Sequence, residues 1–550
     1  MENREDLRSI LNYLPLKLES STLVWPNHVI EALIALSKGP SHSRVDSGEV
    51  LFLAITDLRK SLSLSSHPFH SSASHGFALF FDEFLSRSEA AKWFGEVVPM
   101  MAKLLLRLPT LLESHYQYSD IIIVGVDTGL RLLESQQAGI VFLGQELIAA
   151  LLSCSLFCLF PTANRGAKHL PMINFDYLFA NLYESYHENH ENKIKCLIHY
   201  FERISSCTPT GFVSFERKVL PMEPNLPLVS YPDANMWSNS RVSLCPLEVC
   251  SSGMIEDQLR GALEVDFANE YLGGGALSRG CVQEEIRFMI NPELIAGMLF
   301  LPCMSDNEAI EIVGAERFSN YSGYASTFRY TGDHVDIREI DSLGRRNTRI
   351  VAIDALCSPG SRQYRLDYLL REANKAFCGF LDPSKYPQYQ MLSEHSNSHE
   401  DLSGSDAMDT TNCDTRSALI EGCTLSSEMH EGRLSPTKTN PERVDNMEVD
   451  HIDVGIATGN WGCGAFGGDP EVKAVIQWLA ASQALRPFIS YYTFELEKLL
   501  NLDQVCEWIL AHKWTVGELW TMLVDYCTKL RKGETKRGFL LWLVPTFHQQ

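Results

Sequence analysis

One segment of twenty residues organises this sequence, Asp266-Phe-Ala-Asn-Glu-Tyr-Leu-Gly-Gly-Gly-Ala-Leu-Ser-Arg-Gly-Cys-Val-Gln-Glu-Glu285. It begins at the end of residues 263–268, where apolar and acidic residues alternate as in a β-strand. Three consecutive glycines follow at positions 273–275. Because glycine lacks a Cβ atom, these residues can adopt positive φ and let backbone amides approach a ligand closely. The segment ends in acidic residues at the start of a predicted helix, which Pro292 stops.

The two adjacent glutamates of this segment, Glu284 and Glu285, are candidates for acid/base chemistry. Neighbouring residues on a helix point about 100° apart, so the pair cannot flank one bond symmetrically. We therefore expect one glutamate to do the chemistry while the other positions the substrate. A helix start favours the carboxylate form, so an acid role needs burial or a nearby negative group such as Asp266. Taken alone, two glutamates in a first helical turn are more often solvated surface residues.

A second glycine-rich segment, Gly459-Asn-Trp-Gly-Cys-Gly-Ala-Phe-Gly-Gly468, lies between a predicted strand and a predicted helix. α/β folds usually bind phosphates at this position. Asp469 would repel a phosphate placed at the helix end, so we expect the amides of residues 462–466 to bind it instead. The spacing is not G-x-G-x-x-G, which argues against a dinucleotide oxidoreductase. The alternative interpretation is a tight glycine turn without a ligand.

The pattern Gly-Gly-Gly, seven residues, Gln-Glu-Glu, together with its flanks at 265–269 and 286–288, resembles the poly(ADP-ribose) glycohydrolase family, in particular the full-length enzyme of plants. The resemblance runs from about residue 90 to residue 530. It includes residues 164–168 and 173–175, which are similar to the accessory region of the family.

This resemblance implies hydrolysis of the ribose–ribose O-glycosidic bonds of poly(ADP-ribose), with release of ADP-ribose. It implies that Glu285 is the acid and then the base, that Glu284 holds ribose hydroxyls, and that Asp266 assists. The segment 460–466 would bind the diphosphate, Tyr324 would stack on the adenine, and no metal or cofactor is expected. The implied substrate-binding residues are Ile255, Glu256, Asn269, Gly273, Gly274, Gly275, Gln283, Tyr324, Asn460, Trp461, Gly462, Cys463, Gly464, Ala465, Phe466 and Phe494. The competing hypothesis is a macrodomain that reads ADP-ribose without cleaving it.

The periodicity of the chain predicts an α/β fold in its second half. Short apolar strands are expected at residues 263–268, 309–313, 349–356, 452–457 and 488–494. The last two enclose a helix with Asp469 at its N-cap and Pro470 at its first position, which predicts a βαβ unit. The resemblance makes this a macrodomain-like mixed sheet flanked by helices.

Helical spacing between about residues 88 and 205 predicts a mainly helical accessory domain. We therefore expect an accessory domain at 1–210, a catalytic domain at 211–530 and a C-terminal tail at 531–550. The catalytic domain is interrupted at 391–450 by a segment with 13 acidic residues, 4 basic residues and no Phe, Tyr or Trp, which predicts a disordered insertion.

The composition limits the possible locations and partners of the protein. A formal net charge of −22 over 550 residues argues against direct DNA binding through a basic face. The 15 cysteines form no Cys-x-x-Cys pair, and the N-terminus lacks an apolar signal sequence, so we expect a reduced intracellular protein. The longest apolar run, Leu147 to Phe160, is too short for a membrane span. With the resemblance, this predicts a monomer in the nucleus or cytoplasm that acts on poly(ADP-ribose) and poly(ADP-ribosyl)ated proteins.

Overall fold

The structure is a computed structural model, and it describes residues 1–64, 68–223, 229–258, 261–385 and 454–544. The predicted insertion at 391–450 lies outside the described residues. The strands in chain order are β1 Lys17–Glu19, β2 Thr22–Val24, β3 Gly139–Gly144, β4 Phe212–Val219, β5 Leu247–Cys250, β6 Ala262–Ala268, β7 Glu308–Val313, β8 Ser319–Ser322, β9 Arg329–Asp333, β10 Arg349–Asp354, β11 Gly455–Gly459 and β12 Ile489–Tyr492.

Helices precede the sheet strands in the chain and also alternate with them. The α-helices are α1 Glu5–Ile10, α2 Asn27–Ser37, α3 Pro40–Ser43, α4 Gly48–Ser61, α5 Ala73–Ala78, α6 Arg87–Lys92, α7 Val98–Ile122, α8 Gln145–Leu156, α9 Asp176–Glu184, α10 Glu188–Ser206, α11 Ala234–Asn239, α12 Gln283–Ile290, α13 Leu366–Phe380, α14 Pro470–Gln483, α15 Leu502–Ala511, α16 Val516–Lys532 and α17 Phe539–Leu543. Two π-helical turns, at Leu79–Phe84 and Trp93–Val97, adjoin α5 and α7. Short 3₁₀ turns lie at Leu11–Tyr13, Gly166–Lys168, Ile255–Asp257, Pro292–Leu299, Ala325–Thr327, Gly360–Tyr364, Pro383–Lys385 and Glu497–Leu499.

Eight strands form one mixed sheet in the order β3-β4-β7-β10-β6-β11-β12-β5. The five strands from β10 to β5 are parallel to one another, whereas the pairs β3–β4, β4–β7 and β7–β10 are antiparallel. The mixed α/β sheet predicted from the sequence is therefore confirmed. Because the five parallel strands run in one direction, the loops that follow them all emerge at the same edge of the sheet.

All five strands expected from the sequence are present, with ends that differ by a few residues. The predicted βαβ unit is also confirmed, since β11 and β12 are parallel and α14 connects them. Asp469 caps this helix by accepting a hydrogen bond from the Glu471 amide at 3.1 Å. The fixed φ of Pro470 suits the first helical turn, where its missing N–H has no partner to lose.

Two hydrophobic cores cover the two faces of the sheet. Ile350 and Ala352 of β10 belong to the first core, and the alternate residues Val351 and Ile353 belong to the second. This alternation follows from the two-residue period of a strand. The first core joins the sheet to the helical region, including α8, in which every residue except Glu146 is buried.

The helical region contributes one strand to the sheet. β3 lies between α7 and α8 in the sequence, and it pairs with β4 at the end of the sheet. The expected boundary near residue 210 stays a prediction, although one sheet extends to both sides of it. No helix in the described part of the chain is both long and apolar enough to cross a membrane.

Candidate active site

The site is built from loops that follow the parallel strands. The loop after β6 leads into α12, and this connection brings Asp266, Glu284 and Glu285 together. All three carboxyl side chains are buried, with residue exposures of 1%, 2% and 7%. The alternative that the two glutamates are solvated surface residues of a first helical turn is therefore wrong. The loop folds back over the start of the helix and buries them.

The triglycine loop orients both glutamates with its backbone amides. Glu284 accepts hydrogen bonds from the amides of Asn269 at 2.9 Å and Gly273 at 2.7 Å. Glu285 accepts hydrogen bonds from the amides of Gly275 at 2.9 Å and Val282 at 2.8 Å. The sequence led us to expect that these glycine amides would contact a ligand. In the structure they hold carboxylates in place, and the Gly274 amide donates to a backbone carbonyl.

Glycine is required in this loop for two separate reasons. Gly273 and Gly274 have φ values of +85° and +47°, which side chains rarely tolerate. A Cβ atom on Gly274 would also lie 2.6 Å from Glu284 Oε2 and 2.9 Å from Glu285 Oε1. The loop therefore contacts the carboxyl groups so closely that no side chain fits between them.

The close packing of three carboxyl groups perturbs their ionisation. Burial raises the pKa of Asp266 to about 8, and the neighbouring Glu285 adds to this effect while Arg287 opposes it. Burial, Asp266 and Glu285 together raise the pKa of Glu284 well above its usual value. Neither carboxyl oxygen of Asp266 has a hydrogen-bond partner among the described residues. Burial and the mutual repulsion of the carboxyl groups therefore favour the protonated forms of Asp266 and Glu284, as is typical of sites for general acid catalysis.

A cavity of about 500 Å³ opens beside this cluster. Its walls come from the ends of four neighbouring parallel strands and from the segment after β5, as expected for ligand sites in such sheets. The predicted site residues that line it are Ile255, Glu256, Gln283, Tyr324, Asn460, Trp461, Gly462, Cys463, Gly464, Ala465, Phe466 and Phe494. The remaining candidates lie elsewhere. Asn269 and Gly274 line a second cavity of about 380 Å³, and Gly273 and Gly275 contact the glutamates.

The glycine-rich loop after β11 offers unused backbone donors to the first cavity. The amides of Gly462, Gly464, Ala465 and Phe466 donate to no other group within the described ranges. Asp469 does not compete for a bound anion, because its carboxylate accepts hydrogen bonds from Tyr364 Oη at 2.8 Å and from the Glu471 amide. Four free amides beside one another form a site suited to a diphosphate.

The side chains of three predicted substrate-contact residues form hydrogen bonds with other groups of the protein. The Gln283 amide group bonds to β6, accepting from the Phe267 amide at 2.8 Å and donating to the Val265 carbonyl at 3.1 Å. Asn460 donates to the Thr493 carbonyl at 3.0 Å. Trp461 is fully buried, and its indole donates to the Ile353 carbonyl at 2.9 Å. These side chains therefore fix the cavity walls.

The far end of the cavity combines an exposed ring with a buried carboxylate. Tyr324 is 54% exposed in a tight turn, where Gly323 has a φ of +74° and a Cβ atom would clash with the Thr327 carbonyl. Glu256 is buried and accepts a hydrogen bond from the Tyr321 hydroxyl. Phe494, which is 47% exposed, follows β12 at the opposite wall.

Sequence reasoning missed several residues at this site. Phe267, Arg287 and Tyr321 also line the cavity. The sequence did contain a signal for Arg287, because it follows Glu284 by three positions and so shares its helix face. In the structure it forms a buried ion pair with Glu264 at 2.6 Å. No local signal indicated Lys193, which reaches the triglycine loop from α10.

Comparison with known proteins identifies the class to which this fold and site belong. The family model described as poly(ADP-ribose) glycohydrolase, Macro domain fold, matches residues 234–501, and the model of the helical domain of the same family matches residues 85–217. Poly(ADP-ribose) glycohydrolase 1 of Arabidopsis thaliana is 58% identical over 557 residues, which cover 99% of this chain and 98% of the relative. The probable poly(ADP-ribose) glycohydrolase 2 of the same plant is 52% identical, with 99% of both chains covered.

A more distant relative, poly(ADP-ribose) glycohydrolase 1 of Caenorhabditis elegans, is 30% identical over 60% of this chain and 35% of its own length. The chain therefore belongs to the poly(ADP-ribose) glycohydrolase family. The resemblance inferred from residues 266–285 is confirmed, as are the macrodomain fold and the helical region that precedes it.

Proposed function

We propose that this protein hydrolyses the ribose–ribose O-glycosidic bonds of poly(ADP-ribose) and releases ADP-ribose, with Glu285 as the catalytic acid and base. The observation that carries this proposal is the buried carboxyl cluster, which glycine amides hold beside a cavity with four free backbone donors. The near-complete coverage of two plant members of the family supports it.

In the first step, a protonated Glu285 donates its proton to the leaving ribose oxygen as the glycosidic C–O bond breaks. The remaining sugar carries oxocarbenium character, and the nearby diphosphate stabilises this positive charge. A water molecule then adds to the sugar carbon and gives its proton to the Glu285 carboxylate. One residue therefore acts in both steps, unlike the two-carboxylate scheme of most glycosidases.

The protonated forms of two neighbours of Glu285 are favoured. Burial raises the pKa of Asp266 to about 8, and burial together with Asp266 and Glu285 raises the pKa of Glu284 well above its usual value. In this proposal Glu284 orients the ribose hydroxyls, and its Oε2 atom lies close to Gly274, which lines the second cavity. Asp266 has no hydrogen-bond partner among the described residues and serves as the protonated neighbour.

The remaining residues of the cavity hold the ADP-ribose unit. The free amides of Gly462, Gly464, Ala465 and Phe466 bind the diphosphate. Tyr324 stacks on the adenine, which Ile255 and Glu256 recognise at its edge. Phe494 packs near the ribose at the scissile bond, and Asn269 and Gln283 contact the ribose. The triglycine residues act on the substrate through the two glutamates that they orient.

The proposal also covers the partners and the cellular location of the protein. We propose a monomer of the nucleus or cytoplasm that acts on poly(ADP-ribose) and on poly(ADP-ribosyl)ated proteins, without binding DNA directly or associating with membranes. The net charge of −22 supports the absence of direct DNA binding.

The decisive experiment measures the release of ADP-ribose from purified poly(ADP-ribose) by the wild type and by Glu285→Gln. Glutamine keeps the shape of the side chain and removes its transferable proton. We expect the variant to bind polymer and to lose activity by at least about 10³-fold, the scale of a general acid/base. A wild type that binds polymer without cutting it would instead identify a non-catalytic reader. A variant that cuts as fast as the wild type would transfer the acid role to Glu284 or Asp266.

A further inference from the structure

A lysine from the helical region contacts the triglycine loop from behind. Lys193 lies in α10, Glu188–Ser206, and its side chain is fully buried. Its ammonium donates hydrogen bonds to the backbone carbonyls of Gly275 at 3.3 Å and Ser278 at 2.9 Å, and also to that of Gly280. The three contacted carbonyls belong to one short loop, more than 80 residues away in sequence.

The number of acceptors matches the chemistry of the ammonium group. An ammonium has three N–H donors and no acceptor, so three converging carbonyls satisfy it without a carboxylate. Burial lowers the pKa of Lys193 to about 8, while Cys281 and Glu285 oppose this effect. A positive charge therefore lies within electrostatic range of the proposed catalytic glutamate.

The loop that Lys193 contacts also encloses Glu285. The Gly275 amide donates to Glu285 Oε1 at 2.9 Å. A Cβ atom on Gly280 would lie 2.5 Å from the same oxygen, so both ends of the loop adjoin the carboxylate. The two glycines also pack on one another, since a Cβ atom on Gly275 would approach the Gly280 Cα to 2.9 Å. Any shift of the loop would therefore move the group that carries the proton.

We propose that Lys193 is a positioning residue for the glycosidase reaction, which fixes the Gly275–Gly280 loop and thereby orients Glu285. This inference rests on the proposed function. It assigns to the helical region a direct part in the catalytic step, because the fixed point of the loop comes from α10. Lys193 does not line the ADP-ribose cavity, so its removal should affect the chemical step more than binding.

The test compares Lys193→Met with Lys195→Met. Methionine keeps the length of the lysine stem and removes the charge and the donors. Lys195 is a matched control, because it lies on the same helix, is partly exposed and pairs with Glu191 at 2.6 Å. For each variant, kcat and KM on poly(ADP-ribose), the Kd for free ADP-ribose and amide hydrogen exchange of residues 270–282 are measured.

We expect Lys193→Met to lower kcat by about 10²-fold, the cost of misplacing a catalytic group by about 1 Å. The Kd for ADP-ribose should stay within about threefold of the wild type, since the cavity walls are unchanged. Hydrogen exchange should increase in residues 270–282, where the Gly275 amide bonds to Glu285. Lys195→Met should behave like the wild type in all measurements.

A kcat within about threefold of the wild type would overturn the proposal, as would a parallel loss of kcat and ADP-ribose affinity. If Lys193→Met does not fold, Lys193→Arg decides the matter, because its longer, planar guanidinium keeps the charge but changes the geometry of the donors that meet the three carbonyls. A reduced kcat with unchanged ADP-ribose affinity would support the positioning role, and a wild-type kcat or a parallel loss of both would contradict it. A wild type that binds ADP-ribose but releases none from polymer would refute the proposed function, and hydrogen exchange would then test Lys193 independently.

Discussion

A methyl group added to the triglycine loop should lower the activity of this enzyme without weakening the binding of ADP-ribose in the main cavity. In Gly274→Ala the new Cβ atom would lie 2.6 Å from Glu284 Oε2 and 2.9 Å from Glu285 Oε1. Ordinary van der Waals contact begins at 3.4 Å, so Glu284 Oε2 must move by about 0.8 Å and Glu285 Oε1 by about 0.5 Å. Displacements of this size at a reacting group lower rates by up to about 10²-fold.

The backbone adds a second penalty. Gly274 has a φ of +47°, where alanine is strained by about 1–2 kcal/mol. Gly125→Ala is the matched control, because Gly125 also has a positive φ of +78° but no atom within 4 Å of the added Cβ. It should reproduce the loss of stability without the loss of activity.

The assay measures kcat/KM for ADP-ribose release, the Kd for ADP-ribose by calorimetry and the free energy of unfolding in urea. We expect Gly274→Ala to lower kcat/KM by about 10- to 100-fold, while the Kd changes by less than about threefold, because Gly274 does not line the main cavity. The reasoning would be refuted if Gly274→Ala retained wild-type kcat/KM, or if Gly125→Ala lost as much activity.

Two further predictions concern the buried carboxyl cluster and the exposed ring. Asp266 has a folded-state pKa of about 8 and an ordinary value of 3.8, so between these pH values the folded state binds more protons than the unfolded state. The stability contributed by this residue therefore falls as the pH rises from about 4 to about 8. Asp266→Asn should raise the free energy of unfolding at pH 8 by about 1–3 kcal/mol and should have little effect on it at pH 4. Urea titrations at the two pH values check this, and an equal effect at both would contradict it. Tyr324→Ala should raise the Kd for ADP-ribose about tenfold or more, since stacking on a base contributes about 1–3 kcal/mol. Calorimetry measures this change, with Tyr324→Phe as the control that keeps the ring; equal affinity of the alanine variant would exclude stacking.

Much of the fold could be read from local signals. The alternation at 263–268 and the Asp469-Pro470 helix start depend on backbone preferences of neighbouring residues, and both elements are present. The two glycine-rich loops could also be placed, because each follows a strand and precedes a helix. These features are encoded within a few residues of one another.

Other properties of the site depend on contacts between distant residues. The sequence showed three glycines shortly before two glutamates. It did not show that amides of these glycines donate to the two carboxylates. Hydrogen bonds of this kind depend on how the chain returns on itself, and both a ligand and a carboxylate would satisfy an amide equally well.

Sequence alone therefore indicated the family of this protein, five strands of its sheet and the two glycine-rich loops of its candidate site. Only the tertiary structure decided that Lys193 donates to carbonyls of the triglycine loop, that β3 extends the sheet and that burial raises the pKa values of Asp266 and Glu284. The physical reason is the range of the interactions. Strand periodicity and helix capping act over a few residues, whereas desolvation and charge coupling depend on the complete packing around each group.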